Sequence, residues 1–317
     1  MEENLLYRVY SEDLKKKYGQ KVYRIPVNLP LSCPNRDPLT GRGGCSFCGD
    51  VAAGFEALSA EISVREQIER NIAYIGKKYK AERFIVYFQN FTNTYLPPRQ
   101  FEEYVREACR EDVVEIAVST RPDSLDEDYL RPLKKLAEEK GIQITIELGL
   151  QSVNYRTLKK INRGHSLAEF IDAVRMIHSF GFEITAHMML NLPYDEEEDV
   201  IEGAKILSAL GVHAVKLHAL YILRGTKIAE DYLAGVLDMR SVEYYIRNTV
   251  NFLEYLSPEI VIQRLVGRAP EEETIFCNYG MSWWKIKDAI LAEMRRRGSV
   301  QGCRFDYLGG AAVRGLK

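Results

Sequence analysis

The sequence predicts an α/β chain of six strand-helix units, arranged either as an open doubly wound sheet or as a partial barrel. Three observations carry this expectation. Short β-branched or aromatic runs recur at Val22 to Asn28, Phe84 to Gln89, Val113 to Ser119, Ile142 to Leu150, Phe182 to Leu190 and Ala214 to Tyr221. Each run leads into a helix-start signal and an amphipathic stretch. Four starts show capping-box spacing, in which a side-chain oxygen accepts from the third amide and a Glu reaches back: Ser63 with Glu66, Ser124 with Glu127, Ser166 with Glu169 and Asp195 with Glu198. Strands joined through helices pair in parallel by right-handed crossovers.

Composition narrows the class further. The 317 residues carry 43 Lys and Arg against 45 Asp and Glu, a net charge of −2, so any nucleic-acid contact has to come from a local patch. The N-terminus lacks a basic region followed by an apolar core, and no apolar run approaches the ~18 residues of a membrane span, so the expected compartment is the cytoplasm with no membrane partner. No fixed-period repeat or Pro/Gly/Ser linker divides the chain. There is no Gly-x-Gly-x-x-Gly after the first strand, no Walker loop, no His-Glu-x-x-His and no Gly-x-Ser-x-Gly. Dinucleotide, nucleoside-triphosphate, zinc-peptidase and hydrolase chemistries therefore have no anchor here.

An N-terminal helical extension over 1–20 precedes the first strand. That strand runs into Cys33-Pro-Asn-Arg-Asp-Pro-Leu-Thr-Gly-Arg-Gly-Gly-Cys45-Ser-Phe47-Cys48-Gly49. Glycines let the backbone wrap something compact, and thiolates are soft ligands for iron-sulfur clusters, zinc or copper(I). Structural zinc wants four protein ligands, and the closest downstream His is His165. A four-iron cubane on three thiolates keeps one iron open to a substrate or cofactor. Zinc with a remote ligand and plain buried thiols remain the other two readings.

These residues resemble the radical S-adenosylmethionine (SAM) superfamily. The long Cys-x11-Cys-x2-Cys spacing is similar to its Elp3-like branch, and within it to a subfamily of small stand-alone proteins. The resemblance implies a partial (β/α)6 TIM-like barrel over 21–235; after about 235 the strand-helix rhythm stops, and 236–317 is expected to form a C-terminal helical extension that covers the barrel. The resemblance also implies a [4Fe-4S] cluster on Cys33, Cys45 and Cys48, SAM on the open iron, and an electron donor such as flavodoxin or ferredoxin. SAM would be cleaved reductively to a 5′-deoxyadenosyl radical that abstracts a substrate hydrogen.

The remaining strand ends follow in order. Phe47 stands just before the last cysteine, in the family's cofactor-binding position. After the second strand, Thr92 and Thr94 keep the frame of a family turn that holds the SAM amino group, and Asn90 takes that role by resemblance. After the third, Ser119 occupies a place that is often acidic, and Arg121 can meet a carboxylate or pair with Asp123. The fourth gives Gly149-Leu-Gln151-Ser and then Arg163, which match the family's ribose-contacting Gln and carboxylate-pairing Arg; Glu147 points the same way. Locally, Ser152 suits a helix cap and Gly164 a helix end. The fifth places His187 where relatives reach the ribose, although Asn191 and Tyr194 replace the usual glycines. The sixth carries Lys216, His218 and Tyr221, which would line the substrate side.

Cys277 and Cys303 suit catalytic thiols or isolated core residues, and Cys109 a core position. Trp283-Trp284 with Arg295-Arg296-Arg297 and Arg304 offer stacking and positive charge, the two components of single-strand RNA recognition. By resemblance the substrate is the wobble uridine of tRNA, reached through that C-terminal patch, with a step on the 5-position side chain such as removal of carboxymethyl from carboxymethylaminomethyluridine. The acetyltransferase part of Elp3 has no counterpart in these motifs. Two alternatives stand beside this: a radical enzyme for a small molecule such as a tetrapyrrole, and a non-catalytic iron-sulfur or zinc module that binds RNA or a partner.

Overall fold

The structure, a computed structural model, describes residues 6–38, 40–49, 57–267 and 271–316. The first five residues of the N-terminal extension, and Leu39 within the cysteine loop, lie outside the described residues.

Helix α1 (Tyr10–Tyr18) precedes six strand-helix units: β1 (Val22–Val27) with α2 (Val64–Tyr79), β2 (Arg83–Phe88) with α3 (Pro98–Ala108), β3 (Val113–Thr120) with α4 (Glu127–Lys140), β4 (Gln143–Gln151) with α5 (Tyr155–Lys160) and α6 (Leu167–Ser179), β5 (Glu183–Met189) with α7 (Glu197–Leu210), and β6 (Ala214–His218). After β6 come β7 (Ile222–Leu223), α8 (Lys227–Leu233), α9 (Val242–Tyr255), β8 (Val261–Arg264), β9 (Thr274–Phe276) and α10 (Trp283–Arg297). All six expected strands form, five of them within one residue of their predicted limits, and the sixth stops at His218, three residues short of Tyr221. One more lies beyond them. β8, from the segment expected to supply covering helices, pairs in parallel with β6.

The strands run β1-β2-β3-β4-β5-β6-β8 without a reversal. A doubly wound sheet has a switch point where the order turns back, whereas a monotonic order curls towards a barrel. This sheet is a curled half-barrel. β1 and β8 do not pair, and α1 lies against both edges, with Ile262 donating to the Arg8 carbonyl at 2.9 Å.

Alternation along the strands explains which face does what. Ile25, Val86, Phe88, Ile116, Val118, Ile146, Leu148, Ile184 and Val215 are fully buried and belong to the main core, which also takes in Leu130, Phe170, Leu207 and Phe252 of the outer helices. Most residues of the opposite parity are polar, among them Arg24, Glu115, Ser119, Thr145, Glu147, Thr185, His187, Lys216 and Gln263. At the far end of this inner face Leu14 of α1 fills the space against Ile85, Tyr87 and Ala117.

One of the four capping boxes forms in full and a second forms its forward half. Ser63 accepts from the Glu66 amide, and Ser166 with Glu169 makes the full reciprocal box. The other two are corrected: Asp126 caps α4, and Glu196 with Asp199 caps α7. At Asp195 a tertiary partner takes the expected carboxylate, whereas at Ser124 it is the backbone carbonyl that is held. The Ser124 carbonyl accepts from Thr94, and the Asp195 carboxylate accepts from Ser152 at 3.0 Å. Asn154, rather than Ser152, caps α5.

Candidate active site at the carboxyl ends of the strands

The loop after β1 folds back over the strand ends through its own polar groups. The Cys33 carbonyl accepts from the amides of Arg36 and Asp37, and Arg36 Nη2 donates to the carbonyls of Cys48 (2.7 Å) and Gly49 (2.5 Å). Asn35 is buried and donates to Cys45 Sγ at 3.4 Å and to the Asn162 carbonyl. Asn162 donates in turn to the carbonyls of Arg42 and Gly44, at 2.9 and 2.7 Å. The segment after α5 therefore clamps the cysteine loop. Gly164 permits this close approach: its φ is +81°, and a Cβ there would stand 2.5 Å from Asn35 Oδ1 and 2.8 Å from Arg121 Nη2.

Cys33, Cys45 and Cys48 line one cavity of about 170 Å³ together with Phe47, Ser119, Gln151, Arg163 and His187. Sequence positions up to 154 apart thus meet at one place. Asn90 does not line it; it is buried beside it, in a turn held by Asn93 donating to the carbonyls of Phe88, Asn90 and Ser119. Thr92 donates to Cys33 Sγ at 3.3 Å and Arg163 Nη1 to Cys45 Sγ at 3.6 Å. Burial pushes the Cys48 thiol up to about 11; the neighbouring Cys45 and Cys33 add to the rise and Arg36 opposes it. Among the described residues no three His, Cys, Asp or Glu side chains are grouped as a single ion requires. A cubic cluster sits among thiols spaced more widely than the ligands of one ion.

Opposite the cysteines is a charge network that register creates. Ser119 pairs across to Glu147, and His187 to Lys216, which pairs to Arg264. Glu147, fully buried, accepts from Arg24 (2.5 Å), His187 (2.8 Å), Lys216 (3.2 Å) and Gln263 (3.3 Å). Burial, the largest influence, opposes its charge, but Arg24, Lys216 and His187 hold its carboxyl well below the usual range. Burial and the neighbouring Lys216 bring His187 down to about 4, against the pull of Glu147, and burial brings Lys216 down to about 7. Tyr87 joins the network, accepting from Lys216 (3.0 Å) and Ser119 (2.8 Å) while the Arg24 guanidinium lies 3.9 Å from its ring centre.

Several polar atoms around the cysteine side are buried without a partner: Gln151 Oε1, Asn90 Oδ1, Arg163 Nε and Arg121 Nη1. Buried polar groups are rarely left so, and each one marks a place for a ligand atom. Gln151 is also held at φ +69° beside a register shift in β4, a costly conformation for a non-glycine residue. Acceptors and donors of both kinds suit a zwitterionic ligand.

Asn35, Arg24, Tyr87, Gln263 and Arg264 are site residues that sequence reasoning missed. The Cys-Pro-Asn-Arg-Asp run held a signal for Asn35; the others sit in strands whose inward parity only the curl reveals. His165, considered as a remote metal ligand, faces the carbonyls of Gly149 and Ser166 instead. The C-terminal patch is not one surface. Trp283 and Trp284 open α10 and Arg295 to Arg297 close it, about 20 Å apart at the helical rise. Arg296 and Arg297 are moreover turned to Glu293, and Arg304 to Glu254. Among the described residues no helix is long and apolar enough to cross a membrane.

A parallel half-barrel with a polar cavity at the carboxyl ends of its strands is the architecture of a catalytic barrel. The family model described as the radical SAM superfamily matches residues 39–207, and the radical SAM C-terminal domain matches 212–296. An uncharacterized protein of Methanocaldococcus jannaschii is 34% identical over 96% of this chain and 94% of its own length. YtqA of Bacillus subtilis is 32% identical over 95% and 94%. Among solved structures, the Elp3 of Methanocaldococcus infernus superposes with a TM-score of 0.65 at 16% identity, over 88% of this chain and 64% of that one. The chain belongs to the radical SAM superfamily, and it is an enzyme of that class with a [4Fe-4S] cluster and SAM as cofactors. The thiols, the unpartnered donors and acceptors, and the space kept by Gly149 and Gly164 fit those groups.

Proposed function

We propose that this enzyme modifies the 5-position side chain of the wobble uridine in tRNA, with removal of carboxymethyl from carboxymethylaminomethyluridine as the leading reaction. The observation that carries the catalytic part is the convergence of Cys33, Cys45 and Cys48 with the unpartnered polar atoms of Gln151, Arg163 and Arg121 in one cavity. The cysteines would hold the cluster. A reduced cluster there would supply reductive cleavage of SAM to methionine and a 5′-deoxyadenosyl radical; hydrogen abstraction from the carboxymethyl carbon, return of one electron to the cluster and hydrolysis of the resulting imine would release the two-carbon unit as glyoxylate and leave 5-aminomethyluridine. Arg163 and Arg121 offer donors to the methionyl carboxylate, Asn90 Oδ1 accepts from the amino group, Gln151 Oε1 accepts from a ribose hydroxyl, and Phe47 offers an apolar face.

Relatedness supports the uridine reading. Over 41% of this chain the sequence is 24% identical to the tRNA uridine(34) acetyltransferase of Methanocaldococcus infernus, covering 24% of that protein. Acetyl transfer does not follow from a match of that extent. Nucleoside mass spectrometry of tRNA from a strain lacking the gene is expected to show the wobble carboxymethylaminomethyl nucleoside accumulating. An unchanged profile turns the reading towards a small-molecule substrate.

The role given to Arg163 has its own test. A Cβ at residue 149 would stand 2.5 Å from Arg163 Nη2 and 3.0 Å from Gln151 Nε2, so Gly149→Ala displaces both flexible side chains without touching the core. Loss of one charge-assisted contact predicts SAM binding about tenfold weaker, with thermal stability nearly unchanged. Equilibrium dialysis against labelled SAM reads the effect; wild-type affinity would remove Arg163 from the carboxylate.

A further inference from the structure

Among the described residues five cationic side chains line the cysteine cavity, namely Arg36, Arg121, Arg163, Lys216 and Arg264, against one carboxylate, Glu147. The first three are spoken for on the cysteine side. Arg121 makes a two-pronged pair with Asp123, Arg36 donates to the carbonyls of Cys48 and Gly49, and Arg163 donates to the Gly149 carbonyl. The opposite wall is left with Arg24, Lys216 and Arg264 around Glu147.

Glu147 cannot balance all three. Its two oxygens already accept from four donors, which is about the capacity of a carboxylate. Arg264 is not among those donors. Its guanidinium donates to the His218 ring at 2.7 Å and, weakly, to the Leu217 carbonyl at 3.4 Å, and no carboxylate among the described residues pairs with it. Lys216 has three N–H donors and two partners, Tyr87 and Glu147. A half-buried guanidinium with no carboxylate beside it is incompletely balanced, and an anion completes it. Burial also lowers both groups from their ordinary values, as expected for cations awaiting a partner.

The placement is accessible from outside. Arg264 lines the cysteine cavity and also a second groove of about 520 Å³ whose wall includes Tyr10, Gln263 and the exposed Trp283. Glu12, the carboxylate of that groove, is turned to Lys15 at 2.6 Å.

We propose that Lys216 and Arg264 form an anion subsite that holds a carboxylate of the substrate and thereby orients the substituted carbon towards the cysteine wall. This rests on the wobble-uridine reading, in which that carboxylate is the end of the carboxymethylaminomethyl side chain. An RNA phosphate shares the chemistry, so the test separates the two.

The test is calorimetric titration of the anaerobic, cluster-loaded full chain with SAM present. Its probes are 5-carboxymethylaminomethyluridine, 5-aminomethyluridine, uridine 5′-monophosphate and N-methylglycine. The expected result is that the carboxylate-bearing nucleoside binds about 10- to 100-fold tighter than the aminomethyl one, the worth of a charge-assisted contact. That ratio should fall to within about threefold in Arg264→Gln and stay intermediate in Arg264→Lys. A wild-type ratio near one overturns the subsite and needs no variant to read. A ratio that survives Arg264→Gln overturns it as well, and so does a preference for uridine monophosphate over both other nucleosides. If N-methylglycine binds the wild type and not Arg264→Gln while no nucleoside binds, the subsite stands and the uridine reading falls. If no probe binds, the subsite is overturned.

Discussion

Replacing any one of Cys33, Cys45 or Cys48 with Ala is expected to abolish reductive cleavage of SAM, a loss of at least about a thousandfold, because three thiolates are the minimum that holds a four-iron cube with one iron open. Iron per chain should fall from about four towards zero in the same variants. The control is Cys303→Ala: Cys303 is exposed and does not line the cavity, so its variant should keep both iron and cleavage. Anaerobic reconstitution, iron analysis and chromatographic assay of 5′-deoxyadenosine decide the matter. A Cys45→Ala protein with four irons and full cleavage would remove these residues from the cluster. Cys45 is the most telling of the three, since Asn35 and Arg163 both donate to its sulfur and would be left facing a void.

The second large effect concerns stability. Glu147→Ala leaves Arg24, Lys216 and His187 buried around an absent charge, and breaking a buried ion pair from one side costs about 3–5 kcal/mol. For a chain of this size that lowers the melting temperature by roughly 10 °C. Glu147→Gln keeps the volume and an acceptor oxygen and should lie between. The sign with pH follows from the direction of the shift. The folded carboxyl ionises below its unfolded value, so its stabilisation is present above the unfolded value and is lost as pH falls through the folded one. Wild type and Glu147→Ala should therefore differ fully at neutral pH and converge only in acid. A neutral-pH melting difference under about 2 °C would show that the network is relaxed by water and that Glu147 does not hold it together.

Much of this site was legible in the sequence because its signals are local. A Cys-x-x-Cys pair with a third cysteine upstream restricts chemistry by ligand count, and Gly149-Leu-Gln151 with Arg163 lies within one strand-turn-helix. What stayed hidden depends on long-range pairing. Arg264 could not be found from its neighbourhood, since Val261–Arg264 is a four-residue strand inside a region that otherwise reads as helix. Its place beside Lys216 comes from the β6–β8 register alone. The displaced cap of α7 has a similar origin, because Ser152 reaches the Asp195 carboxylate only in the folded chain.

The sequence by itself determined the strand-helix alternation, the soft-ligand loop after β1 and the identity of most groups at the strand ends, because periodicity, capping and ligand chemistry act over a few residues. The tertiary structure decided the rest. It curled the sheet so that one parity of every strand faces a common interior, and brought β8 in as a seventh strand. It also set one carboxylate among several cations, and that balance can be seen only once distant strands lie 4.7–4.9 Å apart in register.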